Sequence, residues 1–145
     1  VRRLLVALSA LALTACSAAT RRAEPEFLTP FGRPQNPLSP AVRANGMLYL
    51  AGQLGTDSTG RLVPGGIEAE TRRTLQKIQQ LLQTSGSSMD RVVKCTVYMA
   101  DMREWPAMNA VYAQFFPRNF PARTAIGTNG LALDARVEIE CIAAA

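Results

Sequence analysis

The spacing of apolar and polar positions changes period several times along the chain, and each change marks an element. Ala41-Val42-Arg43 and Met47-Leu48-Tyr49-Leu50-Ala51 are short strand-like runs on either side of Asn45-Gly46. Asn-Gly suits a two-residue turn with positive φ at both positions, so the runs predict a hairpin. Gln53 to Gly66 reads as a turn-rich link. From Ile67 the period lengthens. Ile67, Thr71, Leu75, Ile78 and Leu82 fall on one stripe, with Arg72, Gln76, Lys77 and Gln80 elsewhere, which predicts an amphipathic helix. Ser85-Gly86-Ser87-Ser88 stops it. Val92, Cys95, Val97, Tyr98 and Met99 suggest a strand. Met102 to Phe116 reads as a second helix carrying Met108, Val111, Tyr112 and Phe115 on one face, with Pro106 tolerable only near its start. Pro117 and Pro121 end it, and Ala122 to Gly127 and Arg136 to Ala143 are the last strands. This order, β-β-α-β-α-β-β, predicts an α+β fold, a mixed sheet with two helices on one face.

The last strand is two-sided. Val137, Ile139 and Cys141 point one way, Glu138 and Glu140 the other. The apolar side suits the helices. Burying carboxylates is costly unless they are paired, so the acidic side is expected to meet water, a partner subunit or a cation.

Composition narrows the chemistry. The chain has 145 residues, 48% of them apolar, enough for the core of one domain. Its net charge is +5; without Arg2 and Arg3, 14 Lys+Arg stand against 11 Asp+Glu, or +3. The basic residues are scattered, so no nucleic-acid partner is expected. Histidine is absent, which excludes Ser-His-Asp and Cys-His sites and any histidine metal ligand. A general base must then be a carboxylate, lysine, tyrosine or thiolate. The glycines at 52, 55, 60, 65 and 66 do not fit a phosphate-binding or dinucleotide fingerprint. No metal and no cofactor are expected.

The first residues read as an export signal. Arg2-Arg3 precedes a short apolar run, Leu4 to Leu13, that is too short to span a bilayer comfortably. Leu13-Thr14-Ala15-Cys16 resembles a bacterial lipobox. The resemblance implies a signal peptide over 1–15, lipidation at Cys16, and a flexible tether over 16–36 leading into a domain over 37–145. Acyl chains at one residue would anchor the chain to the membrane. With Ser17 after the cysteine, the resemblance implies the periplasmic face of the outer membrane. Cys95 and Cys141 remain. An oxidising periplasm permits a disulfide between them, but spacing does not decide it, and two buried free thiols is the preferred reading.

Six blocks, in order, resemble the Rid (RidA/YjgF-like, reactive intermediate deaminase) family. They are Ala41-Val42 followed by Gly52-Gln53; Glu70-Thr71-Arg72 with Leu75; Val92 through Met102; Asn109-Ala110-Val111-Tyr112 with Phe115-Phe116; Pro121-Ala122-Arg123-Thr124; and Val137-Glu138-Ile139-Glu140. They run from about Pro37 to Ala143. The resemblance implies a chorismate-mutase-like fold and a homotrimer with clefts between subunits. It also implies hydrolysis of 2-imino and enamino acids to 2-keto acids and ammonia, as in 2-iminobutanoate/2-iminopropanoate deaminases, without a cofactor.

The same resemblance assigns roles. Arg123 would bind the substrate carboxylate, which a planar guanidinium can do bidentately; alternatively it pairs with Glu138 or Glu140. Glu138, fifteen positions on, would orient or deprotonate the attacking water; alternatively it forms a salt bridge within the trimer. Burial would raise its pKa and a nearby Arg123 would lower it. Ala125 would contribute backbone contacts. Asn109 matches a cleft residue, or is a helix-surface or capping amide. At two further substrate-contact positions this chain departs from the family, with Leu38 in place of a tyrosine and Ala51 in place of a serine. Leu131-Ala132 replaces a usual Leu-Pro. Three functions stay open: an exported imine deaminase, a non-catalytic trimeric module that binds small carboxylates, and an inert envelope lipoprotein.

Overall fold

A computed structural model describes residues 24–32, 34 and 36–145. The expected signal segment and Cys16 lie outside the described residues. Seven strands and two helices follow in the order β1 (Glu26–Leu28), β2 (Ala41–Ala44), β3 (Met47–Leu50), β4 (Gln53–Leu54), α1 (Gly66–Thr84), β5 (Val92–Met99), α2 (Trp105–Gln114), β6 (Ala122–Gly127) and β7 (Val137–Ala144). The strands form one mixed sheet in the order β1-β2-β3-β7-β5-β6, with β4 also paired to β7. Every pairing is antiparallel except β5 with β6, which α2 connects as a crossover.

The expected elements form for the expected reasons. The β2–β3 turn places Asn45 at φ 50° and Gly46 at φ 74°, the two left-handed positions that an Asn-Gly hairpin turn requires. All five apolar-stripe residues of α1 are buried. Pro106 sits in the first turn of α2, where its missing N–H has no intrahelical partner to lose. Met102–Glu104 forms a short 3₁₀ turn ahead of α2 rather than its first turn, and the Asp101 side chain accepts from the Arg103 N–H there. Val137, Ile139, Cys141 and Ala143 are buried under the helices, while Glu138 and Glu140 lie half-buried on the open face.

Two short strands fall where the periodicity predicts none. Glu26–Leu28, in the proline-rich stretch expected to be a tether, pairs with β2, and Arg43 ion-pairs with Glu26 across that edge. Gln53–Leu54, inside the expected link, pairs with Ile139 and Glu138. Gly55 follows at once. A Cβ there would stand 2.6 Å from the Glu70 carbonyl oxygen, so its lack of a side chain lets this link lie against α1.

The cysteine reading is corrected. Cys95 and Cys141 face each other in register on β5 and β7, with Cα atoms 4.1 Å apart, and form a disulfide rather than two free thiols. Directly opposed cross-strand positions bring the Cβ atoms within bonding reach. Sequence spacing alone cannot reveal that register. The bond closes a span of 46 residues and is buried in the core. Replacing both cysteines by alanine is therefore expected to cost about 2–4 kcal/mol in chemical denaturation. Thiol titration of the unfolded, non-reduced domain should find neither Cys95 nor Cys141 free; two titratable thiols at these positions would contradict the bond.

Candidate active site

The site begins with one row of side chains across the sheet. Arg123 on β6 is in register with Cys95 on β5, which is in register with Cys141 on β7. Paired residues share a face, so Arg123 emerges on the helix side of the sheet. There α2 supplies an aromatic platform. The guanidinium carbon lies 4.6 Å from the Tyr112 ring centroid and 5.6 Å from that of Trp105. Both are cation–π distances, an arrangement that restrains the guanidinium without neutralising its charge. Arg123 makes no ion pair among the described residues. Beside it opens a cavity of about 220 Å³, lined by Asn109, Tyr112, Ala113, Phe120, Pro121 and Arg123.

Tyr112 is held rigidly. Its ring meets that of Phe116 at 4.8 Å, and the residue is almost fully buried. Burial pushes its phenol pKa up to about 12, against the opposing effect of Arg123, so it stays neutral. Asn109, one turn before Tyr112, lines the cavity. Ala125 is two residues beyond Arg123 on the same face. Since β6 is a sheet edge, alternate backbone groups along it face away from β5 without a strand partner among the described residues.

Glu138 stands elsewhere. Its register partners are Tyr98 and Leu54, an odd step from the Cys95 row, so it occupies the open face, opposite to Arg123. Neither expected pairing of Arg123, with Glu138 or with Glu140, occurs within the chain, and no Arg123 charge depresses Glu138. The carboxyl pKa is instead raised, by burial first and by neighbouring Glu140 second. Tyr98 donates to Glu140 at 3.4 Å. Gly52 makes room for the acid: a Cβ at that position would fall 1.9 Å from the Glu138 Oε1. Ala51 precedes that glycine, with its N–H donating to the Pro40 carbonyl at 2.9 Å. Leu38, 48% exposed, flanks a different cavity beside α1. The chain thus joins Arg123, Asn109 and Ala125 on one face, sets Glu138 and Ala51 around Gly52 at the other, and leaves Leu38 apart.

Two features escape a reading of the residues. Trp105 and Tyr112 are the platform for the guanidinium, although Tyr112 reads only as part of an apolar helix face. The second is a brace at the start of β7. The buried Glu70 carboxylate accepts from the Arg136 N–H at 2.8 Å, while the Arg136 guanidinium reaches Glu104. This ties α1 and the approach to α2 to the strand that carries Glu138. The loop before it, Ala132–Asp134, puts Leu133 at φ 62° and Asp134 at φ 58°, a backbone that branched side chains rarely adopt. Among the described residues, no group of three His, Cys, Asp or Glu could hold a metal.

The fold, a mixed sheet under two helices, is that of a known family. The model for the family described as Endoribonuclease L-PSP matches residues 31–145, and the chain belongs to that family, the Rid family of RidA- and RutC-like proteins. The goat (Capra hircus) protein named 2-iminobutanoate/2-iminopropanoate deaminase is 44% identical over 108 residues, covering 74% of this chain and 79% of its own. Among solved structures, the Rid-family protein YyfA of Yersinia pestis superposes with a TM-score of 0.79 at 33% identity, covering 84% of this chain and all of its own. E. coli TdcF with bound serine superposes with a TM-score of 0.72 at 27% identity, covering 76% of this chain and 89% of its own.

The two close glycines give contrasting expectations. Gly55→Ala meets backbone, so it should cost about 1–3 kcal/mol in denaturation. Gly52→Ala meets the end of a flexible side chain, so stability should change little while Glu138 is displaced. Comparable losses in both variants would contradict this. Because the folded pKa of Glu138 is raised, its charge weighs against the fold once pH exceeds the ordinary carboxylate value. Glu138→Gln should therefore gain in melting temperature relative to wild type as pH rises through and beyond that value.

Proposed function

We propose that the chain hydrolyses 2-imino and enamino acids to 2-keto acids and ammonia, in clefts formed between the subunits of a homotrimer. The observation that carries this is the Arg123 guanidinium, stacked on Tyr112 and Trp105, free of protein carboxylates among the described residues, and beside an open cavity. A planar cation held this way is suited to a substrate carboxylate. The goat relative's name supports the reaction, and the serine bound to E. coli TdcF supports a ligand with an amino-acid carboxylate.

The reaction asks little of the protein. With its carboxylate on Arg123 and its flank on Asn109 and Phe120, the imine presents its C=N carbon to water. The water oxygen bonds to that carbon, the C=N π electrons move to nitrogen, and the nitrogen takes up a proton. The resulting carbinolamine expels ammonia as its hydroxyl becomes the keto oxygen. Glu138 takes the proton from the attacking water. Its raised pKa makes it a better base than an ordinary carboxylate. Holding the reactants together supplies much of the acceleration.

The placement of Arg123 and Glu138 on opposite faces argues for shared sites. A second copy must supply the acid, and the open face has reason to be covered, since Tyr49 and Ile126 are exposed there. We also propose that the mature chain is lipid-anchored through Cys16 at the periplasmic face of the outer membrane. The Leu13-Thr14-Ala15-Cys16 run supports this, and the buried disulfide fits an oxidising compartment.

An amino-acid oxidase can generate fresh imine in front of the purified chain, with release of keto acid followed in time. Wild type should accelerate release. Arg123→Ala should lower kcat/KM about tenfold to a hundredfold, and Glu138→Gln about a hundredfold. The wild-type rate should fall as pH drops through the raised pKa of Glu138, because the base acts only when ionised, and the Gln variant should lack that limb. Release no faster than without protein would overturn the deaminase; carboxylate binding that Arg123→Ala abolishes would then point to a non-catalytic module.

A further inference from the structure

We propose that a second cavity, on the helix side of the sheet and sharing no lining residue with the Arg123 cleft, binds a small organic carboxylate between Arg73 and Lys77. The cavity measures about 390 Å³ and lies between α1, the link after β4 and the segment that leads into β2. Arg73 and Lys77 are one helical turn apart on α1, so their charges repel. No carboxylate ion-pairs with either among the described residues.

What holds the two cations in place leaves donors to spare. Arg73 Nε donates to the Thr56 carbonyl at 2.8 Å. Lys77 Nζ donates to the Leu54 carbonyl at 3.0 Å and to Thr56 Oγ1 at 2.8 Å. These bonds aim both groups at the cavity and immobilise them. They leave the terminal nitrogens of Arg73 and one ammonium proton of Lys77 without a hydrogen-bond partner among the described residues. Burial first, and the Arg73 charge second, hold the Lys77 amine below the ordinary lysine range, as befits a positive pair that lacks a counter-charge.

The one acid on the cavity wall, Asp57, ion-pairs with neither cation, and one of its two oxygens is held by its own loop. Asp57 Oδ1 accepts from the N–H groups of Thr59 and Arg61 and from the Thr59 hydroxyl. The lining also carries apolar side chains, Phe31 and Leu38 from the segment before β2 and Leu81 one turn beyond Lys77 on α1. A fork of terminal N–H groups matches a carboxylate, and the apolar side chains give an organic body something to touch, which inorganic phosphate alone would not use. The site is separate from the reaction proposed above and does not depend on it.

The test uses the folded chain carrying Arg123→Ala, which removes the other carboxylate site. It is titrated with 4-methyl-2-oxopentanoate, a carboxylate with a branched apolar body, while amide NMR shifts are followed. Saturable shifts centred on residues 54–57 and 73–81 are expected. Adding Arg73→Met or Lys77→Met should weaken the affinity about tenfold or more, the worth of one charge-assisted bond, and Arg73→Lys should restore part of it. Inorganic phosphate should bind more weakly. No saturable shifts, shifts unaffected in both Met variants, or equal binding of phosphate would each overturn the proposal. If Lys77→Met does not fold, the Arg73 pair of variants decides it alone.

Discussion

The structure turns on strand alternation across three neighbouring strands. Because Arg123, Cys95 and Cys141 share one row, the guanidinium belongs to the face the helices cover, and Glu138, an odd step away, belongs to the face they leave open. No rotamer change moves a side chain through a sheet. The disulfide fastens two members of the row, and the Glu70–Arg136 brace fixes where β7 begins. Both therefore act on the placement of functional groups as well as on stability. Arg123 is further constrained by its aromatic platform, which restrains the guanidinium without consuming its charge.

A one-residue slip between β5 and β7 would carry Glu138 under the helices and Ile139 into the open. The buried face guards against that slip, since Val137, Ile139 and Cys141 would all lose their cover. Gly52 adds a local constraint, because the Glu138 carboxylate rests where any side chain would stand. The same packing logic that makes a core thus sets an acid in a partly desolvated place, with a raised pKa as the result.

Much of the fold is legible in the residues. The α1 stripe, the Asn45-Gly46 turn and the alternation of β7 are local patterns, and each forms as its period dictates. What local pattern cannot encode is pairing between distant segments. β4 is two residues long and β1 three, too short to show a period, and both exist because a neighbour offers an edge. The disulfide has the same origin, a register formed across 46 residues. The site is legible in part. Arg123 and Asn109 stand out from the motifs around them and line one cavity, whereas the stacking rings and the opposite-face position of Glu138 emerge only from tertiary structure.

If the acid and the guanidinium act on one substrate, they come from different copies of the chain. The most direct measurement co-refolds Arg123→Ala with Glu138→Gln and compares the imine hydrolysis of the mixture with that of each variant refolded alone. Mixed assemblies should regain activity, because some clefts would pair an intact arginine with an intact glutamate. A mixture no more active than the two separate variants, with mixed assemblies shown to form, would contradict a site shared between subunits.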